Sequence, residues 1–94
     1  MNTLSFHDLP SGKFESDVFQ FGDDAALELN FESVPKFVGV DIAICQSLSQ
    51  ENWQTCYYEQ QYHYNTFCKS VQGASRQAYF KIITTFQPVS AYYI

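Results

Sequence analysis

The chain has 94 residues, enough for one domain with a modest core and too few for an accessory domain. Ten acidic against five basic side chains give a net charge of −5 and a pI near 4.6. The basic residues Lys13, Lys36, Lys69, Arg76 and Lys81 stand singly. No basic patch suited to phosphate backbones or anionic lipid therefore forms, which excludes nucleic-acid binding as the leading function.

From the amino terminus, Met1 to Asp8 lacks the basic start and apolar stretch of a secretion signal, so a soluble protein made in the cytoplasm is expected. No apolar run approaches the roughly 18–20 residues of a membrane helix. Leu9-Pro10-Ser11-Gly12 is a turn signature, so residues 1–14 read as an extended arm or an edge strand. Such an arm, with Phe6 on it, has the reach to meet a neighbouring subunit. Ser16 to Phe21 alternates and stops at Gly22-Asp23-Asp24. Ala26 to Phe31 sets Leu27, Leu29 and Phe31 on one face, with Glu28 and Asn30 on the other. Val34-Pro35-Lys36 breaks that pattern. Phe37 to Cys45 is apolar on both faces except at Asp41 and reads as the most buried strand.

The polar corner Ser47 to Trp53 separates Val38, Val40, Ile42 and Ile44 from Trp53, Thr55, Tyr57 and Glu59, each set of period two. A hairpin satisfies both sides. If the turn is centred on Gln50-Glu51, Cys45 and Cys56 fall opposite one another. A cross-strand disulfide and a pair of buried free thiols are the two readings of that pairing. The same register directs Trp53 into the core beside Val40 and Ile42. Strands are then expected over Trp53 to Tyr62, Thr66 to Val71, Arg76 to Phe86 and Val89 to Ile94, with turns at His63-Tyr64-Asn65, Gln72 to Ser75 and Gln87-Pro88. Helical spacing is absent over any useful length. Seven to eight short strands with frequent turns and 18% aromatic residues predict one all-β domain over 1–94. Its architecture is an antiparallel β-sandwich, jelly-roll or immunoglobulin-like.

Chemistry-bearing groups are sparse. Cys45, Cys56 and Cys68 have no CxxC spacing, and His7 and His63 sit too far from any pair to complete a zinc site. His63 lies near Cys56 and Cys68 in sequence, but no strand-to-helix elbow is present to activate a thiol. Glu15, Asp17, Asp23 and Asp24 lack the spacing of a calcium loop. No catalytic residue, metal or cofactor is assigned. The tyrosines carry the strongest signal. Neighbouring residues of a strand face opposite ways, so Tyr57-Tyr58 and Tyr92-Tyr93 must each send one ring outward. With Tyr62 and Tyr64, these rings and Phe6 are the expected partner contacts.

The run Ser16 to Phe21, the strand Val38 to Ser47, the Glu51-Asn52-Trp53 corner, the Gly73 turn, the Tyr79, Lys81 and Ile82 strand and the closing Val89 to Ile94 together resemble a small β-sandwich module of bacteriophage virions. The likeness runs from Ser16 onward. Where that family often has Asp-Gly in the turn, this chain has Gln50-Glu51-Asn52. The resemblance implies a non-enzymatic virion protein: a capsid decoration, a vertex or penton component, or a collar or tail adaptor. It implies a homo-oligomer whose partners are other virion proteins. Exposed tyrosine faces also suit a glycan- or receptor-binding module. A third reading, an acidic inhibitor of a host nucleic-acid enzyme, requires clustered charge. Asp8, Asp17, Asp23, Asp24, Glu28, Glu32, Asp41, Glu51 and Glu59 are instead spread along the chain.

Overall fold

A computed structural model describes residues 1–61 and 66–94. The described chain is all-β, with nine strands: β1 (Asn2–Thr3), β2 (Phe6–Asp8), β3 (Phe14–Ser16), β4 (Ala26–Asn30), β5 (Val40–Ser47), β6 (Gln54–Gln61), β7 (Thr66–Ser70), β8 (Tyr79–Thr84) and β9 (Ser90–Tyr93). They form two antiparallel sheets, ordered β1-β9-β4-β7 and β2-β3-β8-β5-β6, packed face to face as a β-sandwich. No helix among the described residues is long and apolar enough to cross a membrane.

Alternation explains the core. Leu27 and Leu29 of β4, Val40, Ile42 and Ile44 of β5, and Phe80 and Ile82 of β8 point between the sheets and are almost wholly buried. Phe31, Phe67 and Ala91 complete that layer. Phe19 and Phe21 enter it from the segment that crosses between the sheets. Here the chain departs from the expected strand over Ser16 to Phe21. β3 ends at Ser16, and beyond it only Phe19 makes a bridge, to Phe80. The rings explain why: Phe19 and Phe21 meet edge to face at 5.0 Å, and Phe21 lies 4.8 Å from Phe80. Residues two apart in an ordinary strand would not both wrap around one neighbour.

The amino-terminal segment is committed to its own domain. β1 pairs with β9, Asn2 opposite Tyr93, and β2 pairs with β3 through a turn in which the Gly12 N–H donates to Leu9 O. Gly12 takes φ +90°, a conformation in which a side chain is strained. These two short strands raise the number above the seven or eight expected from pattern alone, because runs of two and three residues show no period. Phe37 departs too. It stands outside β5 with φ +68° and is 75% exposed.

One irregularity controls the middle of the protein. β5 and β6 form the expected hairpin, but the register shifts between Ile44 and Cys45: Ile44 faces Tyr57, whereas Cys45 faces Thr55. Cys56 is the extra residue of a β-bulge. Every side chain before it on β6 therefore changes face. Trp53 is consequently not a core plug beside Val40 and Ile42. It lies half-buried on the outer surface of the five-stranded sheet, with the Lys81 ammonium 4.6 Å above its ring. Cys45, Cys56 and Cys68 are all free thiols, and Cys45 faces Thr55 rather than Cys56.

Candidate functional site

The structure separates the tyrosines. Tyr57 turns inward, half-buried against the core, with its ring 6.3 Å from Phe67. Tyr93 also turns inward and packs on Phe19 at 4.4 Å. Tyr58 and Tyr92 are the outward members of their pairs, as parity requires. They lie on different sheets, so they occupy opposite sides of the sandwich and form no single patch. Phe6, an expected contact, lies on the short strand β2 at the end of its sheet, the edge-strand reading of residues 1–14, and packs partly buried against the core. Tyr62 and Tyr64, and His63 with them, lie outside the described residues.

Tyr58 is the most exposed of the described tyrosines, at 58%. Its hydroxyl donates to Asp41 Oδ1 at 2.9 Å, and Gln60 Nε2 donates to the same oxygen at 2.7 Å. Both side chains thus lean across β5, and the phenol ring is fixed on the sheet surface above Ala43, its cross-strand partner. Beside it runs a row that sequence reading did not find. Lys81 Nζ sits over Trp53 and 3.2 Å from Glu15 Oε2; Glu15 Oε1 lies 3.5 Å from His7 Nε2. Lys81 and Glu15 are both mostly buried at their side chains. The row bridges β2, β3 and β8 to the start of β6, with small Cys45 beneath it. No sequence signal joins residues 7, 15, 53 and 81; only strand order does.

On the opposite side, Tyr92 and Glu28 pair across β9 and β4, and Cys68 follows on β7. With Ala26, Ser70 and Ile94 they line an open, mainly apolar groove of about 310 Å³. The Cys68 thiol points to Glu28 Oε1 at 3.7 Å. Partial burial first, and then the Glu28 carboxylate, push that thiol above its ordinary pKa. Cys56 as a residue is exposed, but its sulfur turns toward β5 and donates to Ile44 O at 3.3 Å. Burial of the sulfur raises its pKa as well. Both shifts run opposite to that of an activated nucleophile. Asp23 pairs with Arg76 Nη1 at 2.9 Å. Among the described residues no three His, Cys, Asp or Glu side chains gather to hold a metal ion.

Where β6 and β7 face each other at the rim, Glu59 and Lys69 point inward from opposite sheets. Glu59 accepts hydrogen bonds from the Tyr57 hydroxyl at 2.5 Å and from Gln61 Nε2 at 2.8 Å. Lys69 Nζ lies 4.2 Å above the Tyr57 ring. The Tyr57 and Gln61 bonds, then the Lys69 charge, hold the Glu59 carboxyl below its ordinary pKa. The Tyr57 phenol is pushed up by the same bond. A carboxylate with a depressed folded pKa stabilises the fold above its unfolded value, near about pH 4.3, and loses that contribution as pH falls through the folded value. The urea midpoint should therefore fall between about pH 6 and about pH 3 by more in the native chain than in Glu59→Gln. Parallel declines would show that this bond adds nothing to stability.

No family model, curated protein or solved structure matches the chain.

Proposed function

We propose that the chain is a non-enzymatic structural protein of a bacteriophage virion, a capsid decoration, a vertex or penton component, or a collar or tail adaptor. It assembles as a homo-oligomer and docks on other virion proteins. The resemblance from Ser16 onward supports the virion setting. The observation that carries the assembly reading is the placement of Tyr58 and Tyr92 on opposite sides of a small sandwich. A block with an aromatic contact on each side can be packed between two neighbours, and each burial also stabilises a small domain. Tyr58 suits such a contact because Asp41 has already fixed its ring, so little rotamer freedom is lost on docking.

Sedimentation across a concentration series is the test. The native chain should run as an oligomer, and Tyr58→Ser should shift the association midpoint upward by about tenfold, the size expected for a contact worth roughly 1.4 kcal/mol. A monomer at every concentration, with no binding to phage particles, would overturn the proposal. Tyr58 beside the Asp41 carboxylate and the Gln60 amide also has the chemistry to stack on and hydrogen-bond a pyranose. Saturable sugar binding by a monomer, lost in Tyr58→Ala, would replace assembly with glycan recognition.

A further inference from the structure

We infer that the end of the sandwich beside the Ser47 to Trp53 corner is a binding site for a neutral sugar, held by the side-chain amides of Gln46, Asn52 and Gln54. The site is separate from Tyr58, and it stands whether the chain is an oligomer or a monomer. It lies where the β5–β6 corner faces the connection from β7 to β8. Between them is an open cleft of about 460 Å³, within the size range of small-molecule sites.

Register brings the amides there. Gln46 follows Ile42 and Ile44 on the inward row of β5, opposite Gln54 on β6 and Phe80 on β8. One row beyond Ile44, the inward side chains of β5 and β6 are therefore amides, at the end where the sheets open to solvent. Asn52 reaches the same cleft from the corner. Across it, buried Ala78 gives an apolar floor, and Gly73 leaves open space where a side chain would stand. Leu48, 75% exposed, supplies an apolar wall at the rim.

The chemistry of the lining selects the ligand. Among the described residues, the Gln46, Asn52 and Gln54 side chains have no hydrogen-bond partner, whereas Gln20 donates to Arg76 O and Gln61 to Glu59. Gln46 is left so although it is half-buried. Each amide offers both donors and an acceptor, which matches a hydroxyl that itself donates and accepts. Ser75 Oγ accepts the Gln77 N–H at 3.2 Å and keeps its own proton to give. Glu51 is the one ionisable side chain in the lining, so a phosphate or carboxylate meets no cation. No aromatic ring lines the cleft, so a flat base has nothing to stack on. A sugar fits both halves of the lining, its hydroxyls to the amides and its C–H groups to Leu48 and Ala78.

The corner is also fixed in advance. Gln50 and Asn52 take φ +64° and +54°, the left-handed region that side chains seldom adopt. Ser47 Oγ donates to Glu51 O and accepts the Ser49 N–H at 3.2 Å, and Ser49 Oγ accepts the Glu51 N–H at 3.3 Å. With the turn held by these hydroxyls, little backbone freedom is left to lose on binding.

The test titrates the isotope-labelled full chain with glucose, galactose, mannose and N-acetylglucosamine, followed by amide NMR. At least one sugar should saturably move the side-chain amide signals of Gln46, Asn52 and Gln54 and the backbone signals of Gly73 to Ala78. Asn52→Gly keeps the left-handed turn and removes the amide, so it should weaken that sugar by about tenfold with the rest of the spectrum unchanged. Gln50→Gly makes the same backbone change outside the lining and should bind as the native chain does, as should Tyr58→Ala. The inference is overturned if none of the sugars moves these signals, if Asn52→Gly binds as the native chain does, or if both glycine variants weaken equally. Equal or stronger movement of the same signals by N-acetylglycinamide would assign the cleft to peptide and overturn it too.

Discussion

Phe80→Ala should destabilise the domain by about 3–5 kcal/mol, the usual cost of deleting a buried ring that its surroundings cannot collapse to replace. Phe80 is fully buried at the centre of the five-stranded sheet, between β3 and β5. Its ring lies 4.8 Å from Phe21 and 6.2 Å from Phe19, and Phe19 in turn packs on Tyr93 of the other sheet. Its backbone exchanges two hydrogen bonds with Phe19, at 2.8 and 2.9 Å. Removing the ring empties the place where β8, β9 and the crossing segment meet. A chain of this size has a total stability of roughly 5–14 kcal/mol, so the loss is a large share of it. The thermal midpoint should fall by more than about 12 °C. Phe80→Leu, which keeps most of the volume, should lose much less. Equal and small losses in both variants would mean that the ring does not tie the sheets together.

The second large effect is expected at Ser16, a residue that nothing in the sequence distinguishes. Its hydroxyl accepts the Ile82 N–H at 2.8 Å and donates to Asp17 O at 2.9 Å, and both Ser16 and Ile82 are shut away from solvent. The side chain thus supplies the bond that a longer β3 would have supplied from its backbone. Ser16→Ala leaves a buried N–H without a partner and should cost about 1–3 kcal/mol. Amide exchange gives the specific check. Protection at Ile82 should fall by more than the global loss of stability, while neighbouring amides of β8 follow the global value. Uniform loss of protection along β8 would assign Ser16 a packing role only.

The sequence was most legible where strands are long and one-sided. Leu27 and Leu29 of β4, Val40 to Ile44 of β5 and Phe80 to Thr84 of β8 alternate as expected, and the two packed sheets follow from them. Beyond the short strands, the Ser16 to Phe21 segment and Phe37, legibility failed most widely at a single inserted residue. Trp53, Thr55, Tyr57 and Glu59 share a period in the sequence, but the bulge at Cys56 turns the first two out and leaves the last two in. That one shift moved Trp53 from the core to a place over Lys81 and set Thr55, not Cys56, opposite Cys45. Bulges depend on backbone geometry that period-two counting does not register. The parity argument for the tyrosine pairs survived because each pair lies within a regular stretch. The row from His7 to Trp53 was out of reach for a different reason: its members come from four separated segments that only the sheet order assembles.

The order of strands also bears on how quickly the domain forms. Neighbours in sequence are neighbours in a sheet at two places, β2 with β3 and β5 with β6; elsewhere the chain alternates between sheets and finds its partners far away, down to Asn2 beside Tyr93. Closing such long loops is an entropic barrier that precedes any reward from pairing. The domain therefore belongs with the slow, topologically complex folders, on the order of milliseconds to seconds. The β5–β6 hairpin is its one long local nucleus. While the remaining strands find their places, that hairpin is exposed to other nascent copies, so synthesis at high local concentration sets aggregation against completion of each sandwich.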